Sequence, residues 1–418
     1  MTEGLFDAPG ARPTVLPFDV EDPRLARAAW SRLAEPGDVV AGALVGQLGP
    51  AGALQWLARA ARDPVAAARA LGSSVPEGQT TGSPARPSAG ARLAASVERW
   101  APRLENLDPR RELHVLRRYG GALLTPGDDG WPAALDDLGA AAPFALWVRG
   151  RSDVGALAAR SVALVGARAS TSYGEHVAAG MASGLADRGF TVVSGGAYGI
   201  DAAAHRGSVA ADGVTIALLA GGVDRFYPQG NHDLLRRIAE DGGAVVSEVP
   251  PGSAPFRQRF LARNRIIAAL SSATVVVEAA WRSGALSTAR RAAELLRPVG
   301  AVPGPVTSMA SAGCHGLLRD GVATCVTDAA EAAELAGDLG SDAAPVRQGR
   351  GDVVDGMDDV GRSLWDALPV RTPAALESVA RTAGRTVRET LAGLGRLEVD
   401  GHAVQEGGGW RRAEPTNR

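Results

Sequence analysis

The 418-residue chain contains no lysine, so every one of its 44 Lys-plus-Arg positions is arginine. A P-loop needs the lysine of G-x-x-x-x-G-K-[ST] to reach the outer phosphates, and its absence excludes an ATPase or GTPase of that class. Arginine offers instead a planar fork suited to bidentate phosphate contacts and to stacking on bases. Cysteine is nearly absent too: Cys314 and Cys325 lack the spacing of a structural zinc site, fit a reducing compartment, and are both expected as buried thiols. No apolar run approaches the roughly eighteen residues of a membrane span. The N-terminus MTEGLFDAPGARP carries acids where a signal peptide would be basic and then apolar. The expectation is a cytoplasmic protein without membrane association.

What is present describes an ordinary globular chain, 45% hydrophobic and 22% charged, long enough for roughly two or three domains. The net charge of −2 predicts no strong attraction of the whole chain for polyanions. Charge is unevenly spread, however, with a slight arginine excess over 155–330 and an acidic stretch between 328 and 360.

Three ordered regions and two linkers separate on pattern. Residues 1–72 read as a small helical domain, with apolar residues spaced at three and four and turns at Pro36-Gly37 and Gly49-Pro50. A Ser/Gly/Pro/Thr-rich linker covers 73–92. From 93 to 335 helical spacing to about Arg118 gives way to the runs 161–167, 190–196, 214–222, 244–250, 273–280, 299–304 and 322–327. These runs are short, apolar and β-branched, and alternate with segments of helical length. Such a pattern predicts an α/β, Rossmann-like, doubly wound parallel sheet, entered through LWVRG at 146–150. After an acidic linker over 336–357, residues 358–414 read as three short helices and a hairpin around Gly407–Gly409, the outline of a winged helix. Winged helices bind DNA in some proteins and protein in others.

Ligands of doubly wound sheets bind outside the carboxyl ends of the strands, so the strand-end loops carry the functional expectation. VGARASTSYGE places Gly166 and Arg168 beside a helix start that Ser170 or Thr171 can cap, which is an anion site with a cation next to it. It is not G-x-G-x-x-G, so no dinucleotide cofactor is expected. SGGAYGIDAAAH adds Gly195, Gly196, Tyr198 and Gly199, and LLAGGVDRFYPQGN adds Gly221 and Gly222. Each glycine alone could serve a tight turn; together they could line a floor on which a phosphate or sugar rests. Arg257, Arg259, Arg263 and Arg265 cluster around Phe260 and Asn264 with no acidic residue among them, as in proteins that track the phosphates of a single strand. Ser283-Gly284 reads as a further turn. Glu278 at a strand end is either a base or an acceptor of loop amides. Asp201 reads as a helix-start cap, His205 and His232 as packing or capping groups, and His315 as a loop hydrogen-bonder. No catalytic triad and no metal site emerges.

These blocks, from VALVGAR through VVSGGAYGIDAAAHRG, PFRQRFLARNRIIAALS and VVVEAAWRSGALSTA to AVPGPVTSMASAGCHGLLRDGV, resemble in order the bacterial DNA-processing protein A (DprA, also called Smf) family. The N-terminal helices resemble that family's sterile-alpha-motif or helix-hairpin-helix-like domain, and the C-terminal outline its winged helix. The resemblance implies a non-enzymatic single-stranded DNA-binding protein that acts in DNA recombination and natural transformation. It implies as well a homodimer formed through the Rossmann-like core that delivers DNA to the RecA recombinase. It implies phosphate binding by Arg168, a DNA-pocket floor at Gly195–Gly199, and an adjacent block of Arg263, Asn264 and Arg265. Tyr198 departs from the Lys or Arg that many members carry before Gly-Ile-Asp, and its ring could stack on a base. Two other readings stay open: a Rossmann-type phosphoribohydrolase-like enzyme with Glu278 as its carboxylate, and a protein-interaction scaffold built on the terminal domains.

Overall fold

The computed structural model describes residues 16–62, 88–345 and 356–413, so the expected linkers over 73–92 and 336–357 lie only partly within the described residues. The chain forms two compact units, Met1–Ala344 and Pro345–Arg418.

In the first unit, Asp22 and Asp38 fix the starts of the helices Pro23–Leu33 and Val39–Ala60 by accepting amides of their first turns. The turn expected at Gly49-Pro50 is a kink inside the second helix: Gly49 takes φ +71°, a left-handed value open to glycine, and the following proline cannot continue the backbone ladder. The core of this layer sets the rings of Trp30, Trp100 and Phe144 among leucines and alanines. Trp30 meets Trp100 edge-on at 5.6 Å and donates through its indole N–H to the Pro50 carbonyl. Val97, Trp100, Leu104 and Leu107 belong to the same core, so the helix Ala89–Trp100 completes the N-terminal layer although its pattern read as the start of the sheet domain. That helix also begins inside the stretch read as linker.

The sheet has nine strands in the order β1-β2-β6-β5-β4-β3-β7-β8-β9. They are β1 (Ala122–Leu124), β2 (Leu146–Gly150), β3 (Ser161–Val165), β4 (Thr191–Ser194), β5 (Thr215–Leu219), β6 (Ala244–Ser247), β7 (Ala273–Val276), β8 (Val299–Ala301) and β9 (Thr324–Cys325). From β6 to β9 every pairing is parallel, with Val162 opposite Val192 and Val165 opposite Val276, and all seven expected runs supply strands. β3 through β8 are buried throughout, which is why they read as continuous rather than alternating apolar runs. LWVRG is β2, but it runs antiparallel to β6 and joins the far edge rather than opening the parallel series. Cys314 is buried as expected; Cys325 is exposed, because β9 is a two-residue edge strand with both residues in solvent.

The chain moves outward from β3 through β4 and β5 to β6, then returns by the helix Arg257–Leu270 to lay β7 on the other side of β3. The switch point of the sheet therefore lies between β3 and β7, and their carboxyl ends open a crevice there.

The second unit comprises the helices Asp359–Ala367, Leu376–Ala383 and Val387–Val399, then the hairpin β10 (Ala403–Glu406) and β11 (Gly409–Arg412). Thr386 and Glu389 form a reciprocal capping box, and Leu364, Val379, Leu394, Leu397 and Trp410 form the core. No helix among the described residues is long and apolar enough to cross a membrane.

Candidate nucleic-acid interface

A cleft of about 740 Å³ opens at the switch point. Its walls come from the loop after β3 (Gly166, Arg168), the helix start after β4 (Ala197, Asp201), the inner face of the helix Arg257–Leu270, and the loop after β7 (Arg282, Ser283, Gly284). The helix contributes Arg257, Phe260, Leu261, Arg263, Asn264 and Ile267, a spacing of three and four that puts all six toward one face.

The arginines that looked equivalent in sequence have different fates. Arg168 is exposed and lies over the ring of Phe260, 4.4 Å from its centroid. Arg257 and Arg282 are exposed in the cleft as well, and none of these three forms an ion pair among the described residues. Arg263 is buried in the cleft floor, where Nη1 donates to the Leu218 carbonyl at 2.5 Å and Nε has no partner. Burial, together with repulsion from Arg168, lowers its pKa to about 10 against the opposing pull of Asp201. Arg259 faces away, held by Glu35 at 2.9 Å, and Arg265 makes a buried two-pronged pair with Glu248 at 2.6 and 2.8 Å. Neither guanidinium lines the cleft. Arg282, which does, was missed in the sequence because the turn signal of Ser283-Gly284 drew attention past it.

The glycines at the strand ends make room chiefly for the protein's own atoms. A Cβ on Gly195 would lie 2.0 Å from Arg263 Nη1, and one on Gly199, at φ +76°, would lie 2.3 Å from the Ala167 carbonyl oxygen. Gly166 is crowded by Ile200, Gly221 by Pro255 and Gly222 by the Pro250 carbonyl. These close approaches lock the loops after β3 and β4 to each other, and Ile200 N–H donates to the Ala167 carbonyl across the joint. Gly196, at φ +66°, packs on Leu235. Tyr198 is half exposed; its hydroxyl accepts the Gly230 N–H at 3.2 Å, and its ring lies outside the cleft lining.

The hydroxyls after β3 are also engaged. Thr171 caps the helix Ser172–Ala186 by accepting from Gly174 N–H and donates its own proton to Glu278 at 2.6 Å, while Ser170 donates to Glu175. Glu278 further accepts the Thr171 backbone N–H at 3.0 Å, so both carboxylate oxygens are occupied and the group is buried outside the cleft. It holds the helix start, as an acceptor of loop groups. Asp201 sits in the first turn of the helix Ile200–Ala210, accepts from Ala197 N–H, and has its pKa raised by burial. Asn264 donates to the Gly284 carbonyl and so ties the two cleft walls together, and Ser283 accepts the Ala285 N–H. His315 bonds the Gly304 carbonyl, as its loop position suggested. No group of three or more His, Cys, Asp or Glu that could hold a metal occurs among the described residues.

Fold and site together define a doubly wound α/β protein with an arginine-bearing cleft at its switch point. Residues 122–337 match the family of DNA recombination-mediator protein A, and the chain belongs to that family. It is 48% identical over 310 residues to the putative DNA processing protein DprA of Mycobacterium tuberculosis, covering 72% of this chain and 79% of that protein. It is 41% identical to the DNA processing protein DprA of Streptococcus pneumoniae over 46% of this chain and 67% of the relative. The X-ray structure of DNA processing protein A from Streptococcus pneumoniae superposes with a TM-score of 0.51 at 35% identity, over 58% of this chain and 82% of that one.

Proposed function

We propose that this DNA-processing protein binds single-stranded DNA without strong sequence preference in the switch-point cleft and delivers it to the RecA recombinase as a homodimer. The observation that carries the binding step is the cleft's set of exposed guanidinium groups, Arg168, Arg257 and Arg282, which form no ion pair among the described residues and stand beside the Phe260 ring. Cations of this kind neutralise phosphates, and an aromatic face accepts any base. Glu278 has both oxygens committed to Thr171, which removes the support for a hydrolytic role. RecA delivery and dimer formation rest on family membership, not on a surface identified in the fold.

Titration of a fluorescent oligothymidine by anisotropy at several salt concentrations tests the binding step. Three neutralised phosphates give a log–log slope of about −2, at about −0.7 each for a single strand. Affinity that ignores salt, or that is higher for duplex than for single strands, overturns the reading.

A further inference from the structure

The cleft is not the only place where exposed arginines meet aromatic rings. In the helix Pro109–Arg118, Arg110, Arg111, His114, Arg117 and Arg118 all face solvent, whereas Leu113 and Leu116 pack inward against the sheet. The helix's one acidic residue, Glu112, is turned aside and half-buried near Arg32 at 3.8 Å. Asp108 pairs with Arg110 at 2.8 Å and with Arg111 at 3.9 Å, but Arg117 and Arg118 form no ion pair among the described residues. In a chain of net charge −2, two adjacent exposed arginines without a carboxylate partner among the described residues make a local positive patch at the end of this helix.

Two runs of ring and guanidinium contacts, linked by the chain itself at Phe226-Tyr227, lie between this helix and the cleft. Arg168 lies on Phe260, and Phe260 meets the half-exposed Tyr227 at 6.0 Å. The neighbouring Phe226 is buried beneath Arg149, 4.3 Å from the ring centroid, and the same guanidinium lies 4.8 Å from the ring of Tyr119. Arg149 is fixed there by donating to the Val223 carbonyl. Tyr119 is half exposed and directly follows Arg117 and Arg118. Two half-exposed tyrosines, Tyr227 beside Phe260 and Tyr119 beside Arg149, thus lie between Arg168 in the cleft and Arg117 and Arg118 on the helix. Alternating cations and stacking faces are what a single strand of nucleic acid needs beneath it, since rings take bases and guanidinium groups take phosphates.

We propose that a strand held in the cleft continues over Tyr227 and Tyr119 onto the helix Pro109–Arg118, where Arg117 and Arg118 take phosphates beyond the cleft. This extended track rests on the single-strand reading of the cleft, and it makes affinity depend on strand length.

The test compares a short oligothymidine of about six nucleotides with one of about twenty. The double variant Arg117→Glu/Arg118→Glu should lower affinity for the longer strand about ten-fold and reduce its salt slope by about 1.4, leaving the short strand unaffected. Tyr119→Ala should weaken the longer strand alone, by about five-fold or more. All three positions are exposed, and unchanged thermal melting of the variants verifies their folding. Equal losses for both lengths, or no loss for either, overturn the track. Failure of the wild-type protein to bind either oligonucleotide would instead overturn the cleft reading on which the track rests.

Discussion

The Arg263 guanidinium occupies the space that a side chain at residue 195 would need: a Cβ there falls 2.0 Å from Nη1 and 2.5 Å from Cζ. Gly195 is therefore the counterpart of Arg263, and the pair fixes the floor of the cleft.

Gly195→Ala should destabilise the protein by about 1–3 kcal/mol, because the overpacked floor must shift a buried, hydrogen-bonded arginine. It should also weaken single-strand binding. Chemical denaturation checks the first effect and anisotropy the second; a fully stable variant would show that Arg263 moves freely.

Arg168 and Arg265 should separate binding from stability. Arg168→Ala removes an exposed cation, so stability should change by less than about 0.5 kcal/mol. Its affinity should fall by similar factors for all sequences, with a salt slope smaller by about 0.7. Arg265→Ala leaves Glu248 buried and unpaired, which should cost about 3–5 kcal/mol. Measuring melting and binding on both variants decides the assignment, and a melting loss confined to Arg168→Ala would reverse it.

Glu278→Ala should cost about 1–3 kcal/mol by stranding the Thr171 N–H and hydroxyl at the start of a helix. Incubation of wild type and variant with nucleoside monophosphates should release no free base from either. Base release that the variant abolishes would restore the enzymatic reading.

His205 should confer a pH dependence. Thr215 Oγ1 gives its proton to the Val192 carbonyl at 2.7 Å, so it accepts from His205 Nδ1–H at 2.7 Å, and Nε2 is left buried without a partner. Burial, reinforced by Arg263 and Arg206, depresses the imidazole from 6.5 to about 3. The unfolded chain takes up a proton near 6.5 that the folded chain refuses until about 3. The stability is thus intact above about 6.5 and declines as pH falls, by about 1.4 kcal/mol per pH unit within that window. Urea unfolding across the window should show the decline in wild type and a shallower one in His205→Gln. Identical slopes would mean that His205 is protonated in the fold.

The parallel sheet was legible in the sequence because β3 to β8 are buried on both faces, and an apolar β-branched run has few other uses. β2 was legible as a strand but not in direction, since antiparallel pairing with β6 leaves no mark on five residues. The cleft was legible as a region, and the partners of its arginines were not. Around the helix Arg257–Leu270, arginines two residues apart point to different neighbours: Arg257 to the cleft, Arg259 to Glu35, Arg263 to Leu218 and Arg265 to Glu248. Of the carboxylates that claim two of them, Glu35 lies 224 residues from Arg259, while Glu248 lies 17 residues before Arg265 on the preceding strand end, and neither spacing marks a pair in sequence.

Arg259 and Glu35 are 224 residues apart in sequence. The helix that walls the cleft on one side is thus gripped on its other side by the N-terminal layer, which contributes no residue to the cleft lining itself. A remote counter-ion neutralises one arginine of the cleft helix on the side away from the cleft. Shortening the chain from its N-terminus would do more than trim an appendage: it would hand a further unpaired guanidinium to the cleft helix and loosen the wall that carries Phe260.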